Sequence, residues 1–151
     1  MASHQNIMEK IGDLLFIHGG VSAEMNALDI SLAGINKLTR PYYPDSTYKF
    51  PDHKLDTIFG DSGPFWYRGY YRGAVRATPH QIDSTLTKFG NKFIITGHTI
   101  VGDTVSVRYE GRVFNTDVHH VEGKSEALLV EGKKFYRADA HGNKVLLLAR
   151  D

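Results

Sequence analysis

The chain predicts a mixed α/β (α+β) domain that begins with α/β elements and ends in an antiparallel meander, on three observations. Two apolar runs, Leu14 to Ile17 and Phe93 to Thr96, stop abruptly at His18-Gly19-Gly20 and Gly97-His98. Short β-forming runs ending on glycine mark buried strands that open into loops. Thr78-Pro79-His80-Gln81 sets an N-cap, a proline at the first helical position and a capping-box glutamine ahead of a helix that stops at Gly90. From Thr104 onward the apolar period falls to two.

The remaining elements follow in order. Ile7 to Asp13 reads as a strand and turn feeding the Leu14 to Ile17 strand, with Gly19, Gly20 and Ser22 in the loop beyond it. Ile30, Ile35, Leu38 and Tyr42 recur at helical spacing, and Pro41 falls where that helix should stop. Tyr43 to Phe50 is a polar connection, and a short helix is expected at Asp52 to Phe59. Gly60 to Gly73 fits neither period. Five aromatics between four glycines describe an ordered irregular loop. Thr104 to Tyr109 and Arg112 to Thr116 form a hairpin around Glu110-Gly111. Strands at Ala127 to Glu131, Phe135 to Asp139 and Lys144 to Ala149 complete the meander.

Length and composition bound the function. With 151 residues, 41% hydrophobic and 23% charged, the chain is one domain's worth of ordinary globular sequence. A net charge of +1 and scattered lysines and arginines give no case for nucleic acid or an anionic membrane as partner. No run is long enough to span a bilayer, and the start of the chain shows no signal peptide, so a cytoplasmic location is the default expectation. There are no cysteines, which removes disulfides and thiolate metal sites.

His18 and His98 are the leading candidates for chemistry. Imidazole is a neutral nitrogen ligand for Zn, Mn or Fe, and glycine neighbours let a metal or phosphate approach the backbone. The bland alternative is a histidine that caps its strand with one hydrogen bond. Arg68, between Tyr67 and Gly69, suits a bidentate clamp on phosphate oxygens, against the alternative of packing on Trp66 or Tyr67. Arg72 and Arg76 read as solvated charges. His119-His120 follows a strand, so alternation sends the rings to opposite faces and leaves one, with Asp117, for the rim of a site. His4, His53, His80 and His141 read as solvated, and Asp61 and Asp103 as turn or capping acids.

Taken in order, Phe16 to Ser22, Gly63 to Tyr70, Thr96 to Thr99 and Gly111 to Asp117 resemble the C-terminal half of a calcineurin-like metallophosphoesterase, in the bacterial branch related to serine/threonine phosphoprotein phosphatases. The resemblance implies a β-sandwich flanked by helices and direct hydrolysis of a phosphoester substrate at a site for two divalent ions (Mn, Fe or Zn). It implies that His18 and His98 bind the second metal, that Arg68 is the catalytic phosphate clamp, and that no first-metal ligand stands at Thr99. The aspartate-x-histidine, glycine-aspartate-x-x-aspartate-arginine and glycine-asparagine-histidine-glutamate motifs of that family do not occur before His18. At most one metal is therefore expected here, and residues 1–151 read as a single partial domain that is inactive or weakly active alone. Charge says the same: two adjacent cations need anionic ligands, and two imidazoles bring none.

Strands built to pair with an absent half would present open edges, so a complementary N-terminal half or a homo-oligomer is the expected partner. A second reading is a catalytically dead module that keeps the fold and binds a partner through the Gly60 to Gly73 loop.

Overall fold

The computed structural model describes residues 5–44, 49 and 52–150. Its core is a five-stranded mixed sheet in the order β1-β2-β3-β5-β4, followed by a three-stranded sheet in the order β6-β7-β8. Strands β1 (Met8–Ile11) and β2 (Leu14–Ile17) form a tight antiparallel hairpin. β3 (Phe93–Thr96) lies parallel to β2 and to β5 (Val113–Asn115), with Ile17 level with Thr96 and Thr96 level with Asn115. β4 (Ser106–Arg108) closes the edge antiparallel to β5.

Alternation along these strands feeds two cores. Leu15, Ile17, Ile94 and Val113 join a cluster with Met25, Ile35, Ile58 and Ile82 of the helices. These helices are α1 (Ala23–Ala27), α2 (Leu32–Thr39), α3 (His53–Phe59) and α4 (Pro79–Phe89). Phe93, Ile95 and Phe114 face the other way and meet Phe135. Phe135 belongs to β7 (Lys134–Asp139), which runs antiparallel between β6 (Glu126–Glu131) and β8 (Lys144–Ala149). Its ring stacks on Phe114 at 4.7 Å and leans on Phe93 at 4.9 Å, tying the small sheet to the large one.

Helix α4 starts as its sequence dictates: Thr78 accepts from the Gln81 amide, and Gly90 ends the helix in the left-handed region. The Gln81 side chain does not close the capping box. It donates instead to the Val21 carbonyl and the Tyr67 hydroxyl, so tertiary contacts outbid the local motif. Ser22 lies in no simple loop but caps α1, a helix whose five residues are too few to show a period. The strand expected to lead into His119-His120 ends at Asn115. His119 precedes a 3-10 turn over His120–Glu122, because the Asn115 side chain accepts from the Asp117 amide and folds the chain away from the sheet. The two rings therefore do not alternate across a sheet. His4 and most of the Tyr43 to Phe50 connection lie outside the described residues.

Candidate active site

The parallel strands β2, β3 and β5 end side by side, and each is followed within two residues by a titratable group: His18, His98 and Asp117. A crevice at the carboxyl ends of parallel strands is where such sheets bind ligands. The strand ends are locked together, with the Gly97 amide donating to the His18 carbonyl at 2.9 Å and the Thr116 amide to the Thr96 carbonyl at 2.8 Å. Buried Asn115 donates to the Thr99 carbonyl at 2.8 Å and so fixes the turn that carries His98.

His18 and His98 converge. Their ring centroids lie 4.7 Å apart with an interplanar angle of 55°. Two imidazoles sharing one ion at metal–nitrogen distances of about 2.0–2.1 Å hold their centroids roughly 4.5–5.2 Å apart. His98 adopts φ 63°, an uncommon backbone for a residue other than glycine, though one that histidine enters more readily than most. Its Nε2 is buried and has no hydrogen-bond partner, while the ring also interacts with the Trp66 backbone carbonyl. The His98 pKa is lowered, first by desolvation and then by the charges of Arg68 and His18, with Asp117 and the Trp66 carbonyl opposing. Such an imidazole stays neutral and offers an in-plane lone pair, which is the donor a divalent cation takes. His18 is exposed, which leaves the pair open to solvent on one side.

The Gly60 to Gly73 segment supplies the rest. It is ordered by backbone bonds: Gly63 to Gly60, Trp66 and Tyr67 to Gly63, Tyr71 and Arg72 to Arg68. The Gly19 amide donates to the Pro64 carbonyl at 2.6 Å, and a Cβ on Gly19 would stand 2.9 Å from the Tyr67 carbonyl oxygen. The glycine after His18 thus exists to let this loop press on the strand end. It brings Trp66 edge-on to His98 at 5.5 Å and leaves Arg68 exposed, close enough for its charge to depress His98 protonation.

His119, the other residue expected at the rim, has partners of its own. His119 Nδ1 is 2.8 Å from Asp103, and Lys124 reaches the other Asp103 oxygen at 2.7 Å. Glu122 completes this group, whose cation is the lysine itself. Asn115 and the Trp66 carbonyl were not legible as site residues. The Asn-x-Asp spacing after a strand was the available signal for the first, and no residue type signals a backbone carbonyl.

Neither a family model nor a curated protein sequence matches the chain. Solved structures do. A cold-active protein tyrosine phosphatase is 31% identical with a TM-score of 0.86. A cold-active protein-tyrosine phosphatase from a psychrophilic Shewanella species gives 31% and 0.85, and a single-residue mutant of a cold-active enzyme gives 31% and 0.84. This chain is similar to part of a phosphatase. The match takes in 97% of this chain but only 43% of the first structure and 44% of the other two. The resemblance to calcineurin-like metallophosphoesterases is corrected accordingly. The matched structures carry the name of protein tyrosine phosphatases, and no family model supports the other assignment. The physical reason is that Gly-His at a strand end suits any crevice at the carboxyl edge of a parallel sheet and so identifies no one family.

Proposed function

We propose that this chain carries part of a phosphatase active site, with His18 and His98 as ligands of one divalent cation and Arg68 as the phosphate clamp. The observation that carries the reading is the buried, unpartnered Nε2 of His98 beside the His18 ring. A buried nitrogen acceptor without a donor costs about 1–3 kcal/mol unless a ligand completes it. The likeness to solved phosphatases supplies the reaction class. Tyrosine phosphate is the substrate named for those proteins, and we extend to this chain the broader class of phosphomonoesters.

These 151 residues include no cysteine, so this part of the molecule offers no thiolate nucleophile. Its contribution is binding and charge. His18 and His98 would hold a divalent ion, which when bound would supply Lewis-acid polarisation of a phosphoryl oxygen. Arg68 neutralises equatorial oxygens through parallel N–H bonds, and the Trp66 carbonyl, hydrogen-bonded to the His98 ring, orients it. Asp117 adds negative charge near His98. The matched structures are more than twice as long as the aligned part, and we assign the groups that activate water and protonate the leaving group to the unmatched portion.

The test is p-nitrophenyl phosphate hydrolysis with Mn²⁺, using the chain complemented by the unmatched segment of a similar phosphatase. His98→Ala and Arg68→Ala should each lower kcat/KM by about 10²-fold or more. Full activity in either variant would remove that residue from the proposed machinery. Calorimetry with Mn²⁺ or Zn²⁺ separates this reading from a dead binding module, which takes up no metal.

A further inference from the structure

A separate pocket of 640 Å³ lies between the 70–77 loop and the β4–β5 turn, and Arg72, Arg76 and Arg108 line it. No carboxylate is among its lining residues. Among the other arginines, Arg40, Arg68 and Arg137 form no ion pair among the described residues, but two do. Arg112 pairs with Asp83 and Glu110, and Arg150 with Asp13, whereas none of the three pocket arginines has an ion pair among the described residues. Glu110 lies close in sequence, but its carboxylate turns to Arg112.

The pocket is constructed rather than incidental. Tyr109 adopts φ 53°, and its hydroxyl donates to the Tyr70 and Ala77 carbonyls at 3.0 and 3.2 Å, pinning the turn that carries Arg108 against the loop that carries Arg76. The Ala77 amide returns to the Gly69 carbonyl at 2.9 Å, closing the loop. The Arg72 guanidinium donates to the Ile100 carbonyl, which fixes it beside the same opening. Tyr70 and Tyr71 are buried and form a rigid aromatic floor. Arg76 and Arg108 are exposed, and three guanidiniums around one opening with no carboxylate in its lining repel one another. A tetrahedral dianion relieves that repulsion and accepts the forked N–H bonds they offer.

We propose that Arg72, Arg76 and Arg108 form an oxyanion-binding pocket, distinct from the imidazole pair, that takes a phosphate group. Free phosphate and an esterified phosphate share the chemistry that such a pocket recognises.

The experiment is calorimetry at low ionic strength on the full chain carrying His18→Ala and Arg68→Ala, which disables the first site. Inorganic phosphate and methyl phosphate are titrated in parallel. Saturable 1:1 binding of either, weakened at least tenfold by Arg76→Gln/Arg108→Gln, is the expected result, and the better ligand of the two identifies the source. Binding that survives the arginine substitutions, or no binding of either ligand, overturns the proposal. Arg76 and Arg108 are exposed, and circular dichroism and thermal melting establish that the variant remains folded. Because the first site is already disabled, failure here leaves the reading of His18 and His98 untouched.

Discussion

Gly63→Ala should damage the candidate site without touching any of its side chains. A Cβ on Gly63 would stand 1.9 Å from the Ile58 carbonyl oxygen, 2.4 Å from its carbon and 2.7 Å from the Thr57 oxygen. All three are backbone atoms at the end of α3, so no side chain can rotate aside. Restoring a 3.0 Å approach needs a retreat of about 1.1 Å by the loop or the helix end, at a cost of roughly 1–3 kcal/mol. Gly63 also accepts from Trp66 and Tyr67, so the retreat is passed directly to the segment that carries Trp66 and Arg68. A misplacement near 1 Å is worth about 10²-fold in rate. Urea unfolding should report the lost stability, and p-nitrophenyl phosphate hydrolysis by the complemented chain the lost rate. Gly102→Ala, where nothing lies within 4 Å, is the control and should stay within about 0.5 kcal/mol. Wild-type stability together with wild-type turnover in Gly63→Ala would refute the claim that this loop is seated on the α3 terminus.

Three further outcomes test the fold. Phe135→Ala should cost about 3–5 kcal/mol by urea denaturation and expose β6–β8 to proteolysis, because that fully buried ring joins the two sheets. Thr78→Ala should cost about 1 kcal/mol by removing the oxygen that caps α4, again read by urea. Burial raises the Tyr70 and Tyr71 phenols well above their ordinary range. A raised phenol contributes stability that is whole below the unfolded value of about 10 and is lost above it, since the unfolded chain releases those protons first. Stability should therefore fall by about 1.4 kcal/mol per pH unit for each tyrosine above pH 10. Tyr71→Phe should shallow that slope, and an unchanged slope would place the titrating group elsewhere.

Much of this was legible in the residues. Strand-to-glycine stops gave β2 and β3, the Thr78-Pro79 start and Gly90 stop gave α4, and alternation gave the meander, since each is a local preference that the tertiary structure kept. What was hidden is tertiary. Gln81 forms a capping box on paper but spends its amide on Val21 and Tyr67. Asn115 turns the chain aside where alternation would have extended the strand to His119. Arg72, Arg76 and Arg108 look like scattered surface charges until Tyr109 folds their loops together. The convergence of His18 and His98 followed from parallel pairing of two short strands, whereas the role of the Trp66 carbonyl rested on a loop with no period to read.

The imidazole pair can be interrogated through Trp66, the one tryptophan of the chain, whose ring lies 5.5 Å from that of His98. Co²⁺, which quenches nearby indole emission, is titrated against fluorescence in the wild type and in His18→Ala/His98→Ala. Saturable quenching is expected in the wild type, with reversal by Zn²⁺, and none in the double variant. Emission that ignores Co²⁺, or quenches alike in both proteins, would contradict a cation held between His18 and His98.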